Sequence, residues 1–146
     1  MGYKYCFWKS LSKLEEVNEK AEELLSLVNL ANRRSRPAGL LTYAEQRALE
    51  IGVTVGNGSD VLLLDEPTAG MSHSETDVAV ELIRKVSEKR TLLMVEHDMS
   101  VVFGLADRIA VLVYGQIIAF DAPENIKGNP AVVEAYLGEH TPEEVA

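Results

Sequence analysis

The sequence has 146 residues, 47% of them apolar and 25% charged, which suits a globular domain large enough to bury a real core. Its net charge of -9 argues against broad binding to phosphate backbones, so no nucleic-acid partner is expected. A single cysteine, Cys6, rules out an internal disulfide and fits a reducing cytosol.

The opening residues are aromatic and basic, with Tyr3, Tyr5, Phe7 and Trp8 among Lys4, Lys9 and Lys13. Packing of these rings on a neighbouring helix or another part of the protein is the expectation. They contain no long apolar core of a signal peptide. Met1-Gly2 has the form of a myristoylation start, but Cys6 stands where that motif needs Ser or Thr. Ser12 and Glu15 have capping-box spacing, and Leu14, Val17, Ala21, Leu24, Leu25 and Val28 follow at helical intervals. This predicts an amphipathic helix ending between Asn29 and Asn32. Pro37 and Gly39 mark a loop. Thr42 and Glu45 form a second capping pair, opening a helix with Leu49, Ile51 and Val53 that stops before the turn from Gly56 to Asp60.

Val61 to Leu64 is wholly apolar, as a strand buried on both faces should be. Ser72 and Glu75 open a third helix, with Val78, Leu82, Ile83 and Val86 on its apolar face. Thr91 to Val95 reads as a second buried strand, and Asp98 can cap a helix holding Val101, Val102 and Leu105. The longest apolar stretch, Ile109 to Phe120, is shorter than the roughly 20 residues a spanning helix needs. Gly115 and Gln116 break it into two strands and a tight turn. Strands are thus expected near 61–65, 91–96, 109–114 and 116–120. Pro123 and Pro130 suit the first turns of two short helices. Residues 1–58 read as a helical part and 59–146 as an α/β part with parallel strands.

Three segments carry possible chemistry. Asp65 and Glu66 follow a buried strand, which places two carboxylates at the carboxyl end of a sheet, where open α/β folds bind ligands. Such an Asp can hold Mg²⁺ and such a Glu can activate a water. His97 follows the second strand and would share that edge, in reach of a terminal phosphate. Thr42 to Glu45 puts a hydroxyl and backbone N–H groups at a helix N-terminus, a natural phosphate site. Taken singly, each is also a common structural pattern: an acidic turn, a surface histidine, a capped helix.

Taken in order, LTYAEQ, VLLLDEPTAGMS and VEHD resemble the second half of ABC-transporter nucleotide-binding domains. AGLLTYAEQRALEIG, VEHDMSVVFGLADRI and NPAVVEAYLG are most similar to ATP-binding subunits of branched-chain amino-acid-type importers. The resemblance implies an α/β fold: a partial P-loop NTPase core of ABC type, residues 59–146, after a helical signature subdomain, residues 1–58. It implies Asp65 as the Mg²⁺-associated Walker B aspartate, Glu66 as the catalytic base and His97 as the switch histidine on the γ-phosphate. It makes Ala69, Gly70, Met71 and Ser72 the D-loop, which lies against the opposite subunit. Thr42, Tyr43, Ala44 and Glu45 fall on the signature, which contacts ATP held by that subunit. Thr for Ser keeps the hydroxyl and Ala for Gly keeps the N–H, but Glu45 replaces a neutral Gln. A carboxylate beside ATP phosphates is unfavourable unless it faces away.

The phosphate loop, Gly-x-x-x-x-Gly-Lys-Ser/Thr, does not occur: no lysine in the sequence follows a glycine. ATP and Mg²⁺ are therefore implied by resemblance, with neither expected to be held firmly by this chain alone. In the family sheet the Walker A strand lies between the strand ending at Glu96 and the one starting near Ile109. Those two strands are expected to pair directly or to leave exposed edges, which invites a homo-oligomer. The implied function is that of an ATPase subunit of an ABC importer of amino acids or similar small solutes, not catalytic by itself. Membrane permease subunits and a second ATPase subunit are the implied partners. The implied location is cytoplasmic, peripheral to the inner face of the cell membrane. The alternative is a free-standing, non-catalytic oligomeric scaffold derived from a truncated ABC ATPase gene. A DNA-acting ABC ATPase is disfavoured by the acidic charge and by the absence of coiled coil and zinc-type cysteines.

Overall fold

The structure is a computed structural model and describes residues 15–139. The aromatic opening, Cys6 and the Ser12 cap lie outside the described residues. In chain order come α1 (Glu15–Leu27), two short 3-10 turns (Ala31–Arg33 and Ala38–Leu40), α2 (Tyr43–Gly56), β1 (Val61–Asp65), α3 (His73–Ser87), β2 (Thr91–Val95), α4 (Met99–Leu105), β3 (Ile109–Val113), β4 (Gln116–Asp121), α5 (Pro123–Lys127) and α6 (Pro130–Glu139). The four strands fall where the apolar runs predict, and Pro123 and Pro130 open their helices as expected. Among the described residues no helix is long and apolar enough to cross a membrane.

Packing divides the chain into two compact units at Val95/Glu96. Composition divides it elsewhere. Among the described residues only helices occur before residue 58 and every strand lies after it. The two divisions differ because α2 packs on α3, which joins the helical part to the first α/β elements.

In the first unit, β1 and β2 pair in parallel, from Val61 opposite Thr91 to Asp65 opposite Val95. α3 makes the crossover. Beneath the sheet, Leu62, Ala79, Leu82, Ile83 and Val86 form the buried core with Ile51 and Val55 of α2 and with Val28, Leu30 and Leu41 of the preceding segment. Val53 and Val78, expected on the apolar faces, are exposed; Val55 and Ala79 are buried in their helices instead. α1 contributes no fully buried residue of its own, although it packs on α2. That approach depends on two glycines. A Cβ on Gly52 would lie 3.0 Å from a methyl of Val28, and one on Gly56 would lie 2.8 Å from a methyl of Leu24.

The expectation that β1 and β2 are buried on both faces does not hold in this chain. Leu62 is buried and Leu64, Leu92 and Met94 are half-buried. On the opposite face Val61, Leu63, Leu93 and Val95 are open, Leu63 with 68% and Leu93 with 61% of its surface exposed. The unit supplies cover for one face of a parallel sheet that by composition wants cover on two. Among the described residues each sheet is two-stranded, β1 with β2 and β3 with β4.

In the second unit, β3 and β4 form an antiparallel hairpin with a register shift after Val111. Its turn, Tyr114-Gly115, has both residues at positive φ, 48° and 78°. That is the mirror-image geometry that follows the twist of the strands. Ile109, Ile126 and Val132 form the buried cluster, with Val102, Phe103, Val111 and Ile118 packed around it.

Two substitutions separate the covered from the open surfaces. Gly52→Val forces a branched side chain against Val28 and is expected to cost about 1–3 kcal/mol in urea unfolding. Leu63→Thr, on the open face, is expected to change stability by no more than about 0.5 kcal/mol. A large loss at Leu63 would show that the face is covered.

Candidate nucleotide-handling site

The ladder of β1 and β2 builds the first part of the site. Parallel pairing brings the carboxyl ends of both strands to one edge, with Asp65 beside Val95. The Glu66 amide extends the ladder by donating to the Val95 carbonyl at 2.9 Å. Glu66 then turns the chain with φ of 42°, a conformation that costs a non-glycine residue about 1–3 kcal/mol and is concentrated at functional positions. The turn continues through buried Thr68, with the Ala69 amide on the Glu66 carbonyl at 3.2 Å and the Met71 amide on the Thr68 carbonyl at 3.2 Å. Gly70, at φ 75°, permits the last bend. Ser72 then begins α3, where Glu75 accepts from the Ser72 amide at 2.9 Å and from its hydroxyl at 2.6 Å. Those two bonds hold the Glu75 carboxyl below its ordinary pKa.

The first turn of α2 is the second part. Thr42 and Glu45 form the expected capping box: the Glu45 amide donates to Thr42 Oγ1 at 3.3 Å and the Thr42 amide donates to Glu45 Oε2 at 2.9 Å. The other carboxylate oxygen, Oε1, accepts from Arg33 Nε at 2.8 Å. The unfavourable carboxylate of LTYAEQ is thus turned into the cap and paired with a guanidinium. The Arg33 hydrogen bond, followed by the Thr42 amide, holds the Glu45 carboxyl below its ordinary value. Arg33 escaped the sequence reading, since only the fold brings its turn to the start of α2.

Tyr43 joins these two parts. Its ring carbon Cε1 lies 3.8 Å from where a Cβ on Gly70 would stand. Arg47 sits over the same ring, 5.3 Å from its centre, and donates to the Tyr43 hydroxyl at 3.1 Å. Glu50 bonds Arg47 at 2.8 Å and, with Tyr43, raises its pKa above the ordinary value. The signature-like turn and the TAGMS loop are therefore packed on each other within the first unit.

His97 belongs to the second unit, in the extended turn between β2 and α4. Its ring is 73% exposed, beside the fully buried side chain of Glu96. Asp98 caps α4 as expected, its Oδ1 accepting from the Ser100 amide at 2.9 Å, the Val101 amide at 3.4 Å and the Ser100 hydroxyl at 2.6 Å.

The donors suit a hard cation only in part. Asp65 and Glu66 offer oxygen, which Mg²⁺ prefers, but no group of three His, Cys, Asp or Glu side chains that could hold a metal occurs among the described residues. An open concavity of about 640 Å³ lies elsewhere, lined by Leu27, Asn29, Val78, Leu82, Arg84 and Lys85 among others. None of the site residues above lines it.

Comparison with known proteins fits this geometry. Residues 116–140 match the family described as branched-chain amino acid ATP-binding cassette transporter. The chain is 42% identical over 126 residues to the high-affinity branched-chain amino acid transport ATP-binding protein BraF of Pseudomonas aeruginosa, covering 85% of this chain and 49% of that one. It is 40% identical over 126 residues to LivG of Escherichia coli, which has the same description, with the same coverage. A solved ATP-binding cassette of an ABC transporter superposes with a TM-score of 0.77 at 30% identity, over 88% of this chain and 53% of that chain. A putative metal-chelate type ABC transporter, at 20% identity and TM-score 0.77, shares the fold. In fold, the chain matches part of an ATP-binding cassette ATPase domain. In sequence it is similar to branched-chain amino acid transport ATP-binding proteins, and it spans about half the length of the curated relatives it matches.

The Arg33–Glu45 pair gives a pH test with a defined sign. Because the folded carboxyl titrates below its ordinary value of 4.5, the pair contributes stability that is fully present above pH 4.5 and is lost as pH falls through the folded value. The stability difference between the wild type and Glu45→Gln should be constant near neutrality and shrink as pH falls below 4.5. Carboxyl NMR of Arg33→Ala should show the Glu45 titration moving back up.

Proposed function

We propose that this chain is the portion of an ATP-binding cassette ATPase that carries the signature, the metal-associated carboxylate, the catalytic base and the γ-phosphate histidine. In the assembled transporter it would couple ATP binding and hydrolysis to uptake of branched-chain amino acids or similar small solutes. In this reading residues 1–58 are the helical signature part and 59–146 the α/β core. Asp65 would hold Mg²⁺, Glu66 would activate the attacking water, and His97 would face the γ-phosphate. Thr42, Tyr43, Ala44 and Glu45 reach ATP held by a second ATPase subunit, with Ala69 to Ser72 lying along that subunit. Permease subunits in the cell membrane complete the assembly, which places the chain at its cytoplasmic face.

The observation that carries this reading is the end of β1. A parallel strand delivers Asp65 and Glu66 together, Glu66 is held in a costly turn, and the loop that follows packs on the signature-like helix start. The test is a graft. Residues 15–139 replace the matching half of the Pseudomonas relative, and leucine uptake is measured in cells lacking that relative. The graft should restore uptake and Glu66→Gln within it should abolish it. A stably folded graft that supports no uptake sinks the proposal.

The chain by itself should not hydrolyse ATP. Phosphoryl transfer depends on positioning and charge stabilisation, and the sequence supplies no lysine-bearing backbone cradle for the β and γ phosphates. Phosphate release by the purified chain should match that of Glu66→Gln. Robust release that Glu66→Gln abolishes would reveal a phosphate site outside the residues named above.

A second reading, self-association as a non-catalytic scaffold, is favoured by one observation: the open aliphatic face of Val61, Leu63, Leu93 and Val95 beside unpaired strand edges. Sedimentation should then show a homodimer or larger species that Leu63→Lys with Leu93→Lys disperses. A monomer at all concentrations rejects it.

A further inference from the structure

Glu96 is a buried carboxylate that the proposed chemistry leaves unused. Its side chain has no exposed surface, while the ring of its neighbour His97 is 73% exposed. A carboxylate is rarely buried without strong partners, since leaving it unpaired away from water is costly. Here one oxygen, Oε2, gathers three groups of the turn. It accepts from the His97 amide at 3.0 Å and from the Asp98 amide at 3.3 Å. It also lies 3.7 Å from His97 Nδ1, beyond hydrogen-bond distance.

We infer that Glu96 is the positioning residue of His97: it fixes the turn that carries the histidine and selects the imidazole tautomer with the proton on Nδ1, leaving Nε2 to face the ligand. The inference rests on the reading of His97 as the phosphate-facing group. The physical basis is twofold. Two main-chain N–H bonds to an ionised acceptor are stronger than bonds to a neutral one and hold the turn in one conformation. In a neutral imidazole, the nitrogen beside an anion keeps the proton, and the tautomer is set by that neighbour. The anion lies on the Nδ1 side of a ring that is 73% exposed. A reacting group can then meet a nitrogen of fixed character rather than a mixture of two tautomers. Carboxylates behind metal-bound histidines orient the ring in the same way.

The test is NMR of the ¹⁵N-labelled full chain, without nucleotide. Long-range correlations through the ring report which nitrogen carries the proton, and His97→Gln identifies the His97 signals among those of His73 and His140. The wild type should show neutral His97 as the Nδ1–H tautomer. Glu96→Gln keeps an oxygen that can accept the two amides but removes the charge. The amides of His97 and Asp98 should stay protected in it, while the ring returns toward the Nε2–H form usual in water. Glu96→Ala removes both functions, and exchange of the two amides should rise roughly tenfold or more. A wild-type His97 in the Nε2–H form, or a tautomer unchanged in Glu96→Gln, overturns the inference. If Glu96→Ala fails to fold, Glu96→Gln still decides. Because no nucleotide is present, failure of the uptake graft bears on the ATPase reading and leaves the tautomer result intact. A failed tautomer test removes Glu96 and leaves His97 in place.

Discussion

The parallel pairing of β1 with β2 is the constraint on which the first unit depends. Its register, Asp65 against Val95, brings the ends of two strands separated by a whole helix to one edge. The Glu66 amide closes the ladder on the Val95 carbonyl, and the chain must then turn away at a positive φ. Everything after it in the TAGMS loop inherits that direction. A slip of one residue would exchange the buried Leu62 face for the open Leu63 face. Local helix formation cannot supply this precision, because a helix fixes only neighbours in sequence.

The same pairing explains the open surface of the molecule. Parallel strands rich in Leu, Val and Met are built for cover on both faces. In this chain one face has it. The matched relatives and solved structures are about twice as long. The open face carries Val61, Leu63, Leu93 and Val95.

Polar side chains tune the site more than they build it. Arg33 neutralises Glu45 at the start of α2, so the acidic substitution in the signature-like segment is compensated from a different turn. Arg47 and Glu50 hold the Tyr43 ring over the Gly70 bend. Glu96 gathers the amides of the turn that carries His97. Each arrangement uses a charged group to fix backbone or ring geometry near a residue with a proposed chemical role. The exposed ion pairs contribute little to global stability, so their value lies in local orientation.

The sequence by itself determined the elements and the motif order. Apolar runs of strand length, capping pairs such as Thr42 with Glu45, and prolines at helix starts are local signals, and local physics decides them. They located the four described strands and the resemblance to ABC ATPases. What only the tertiary structure decided depends on residues distant in sequence. Arg33 reaches Glu45 and Tyr43 reaches Gly70 because helices pack, and no spacing rule announces those contacts. The exposure of Leu63, Val53 and Val78 is of the same kind. Composition reports how much cover a strand or helix wants, whereas the neighbours that provide it are fixed by the arrangement of the whole unit.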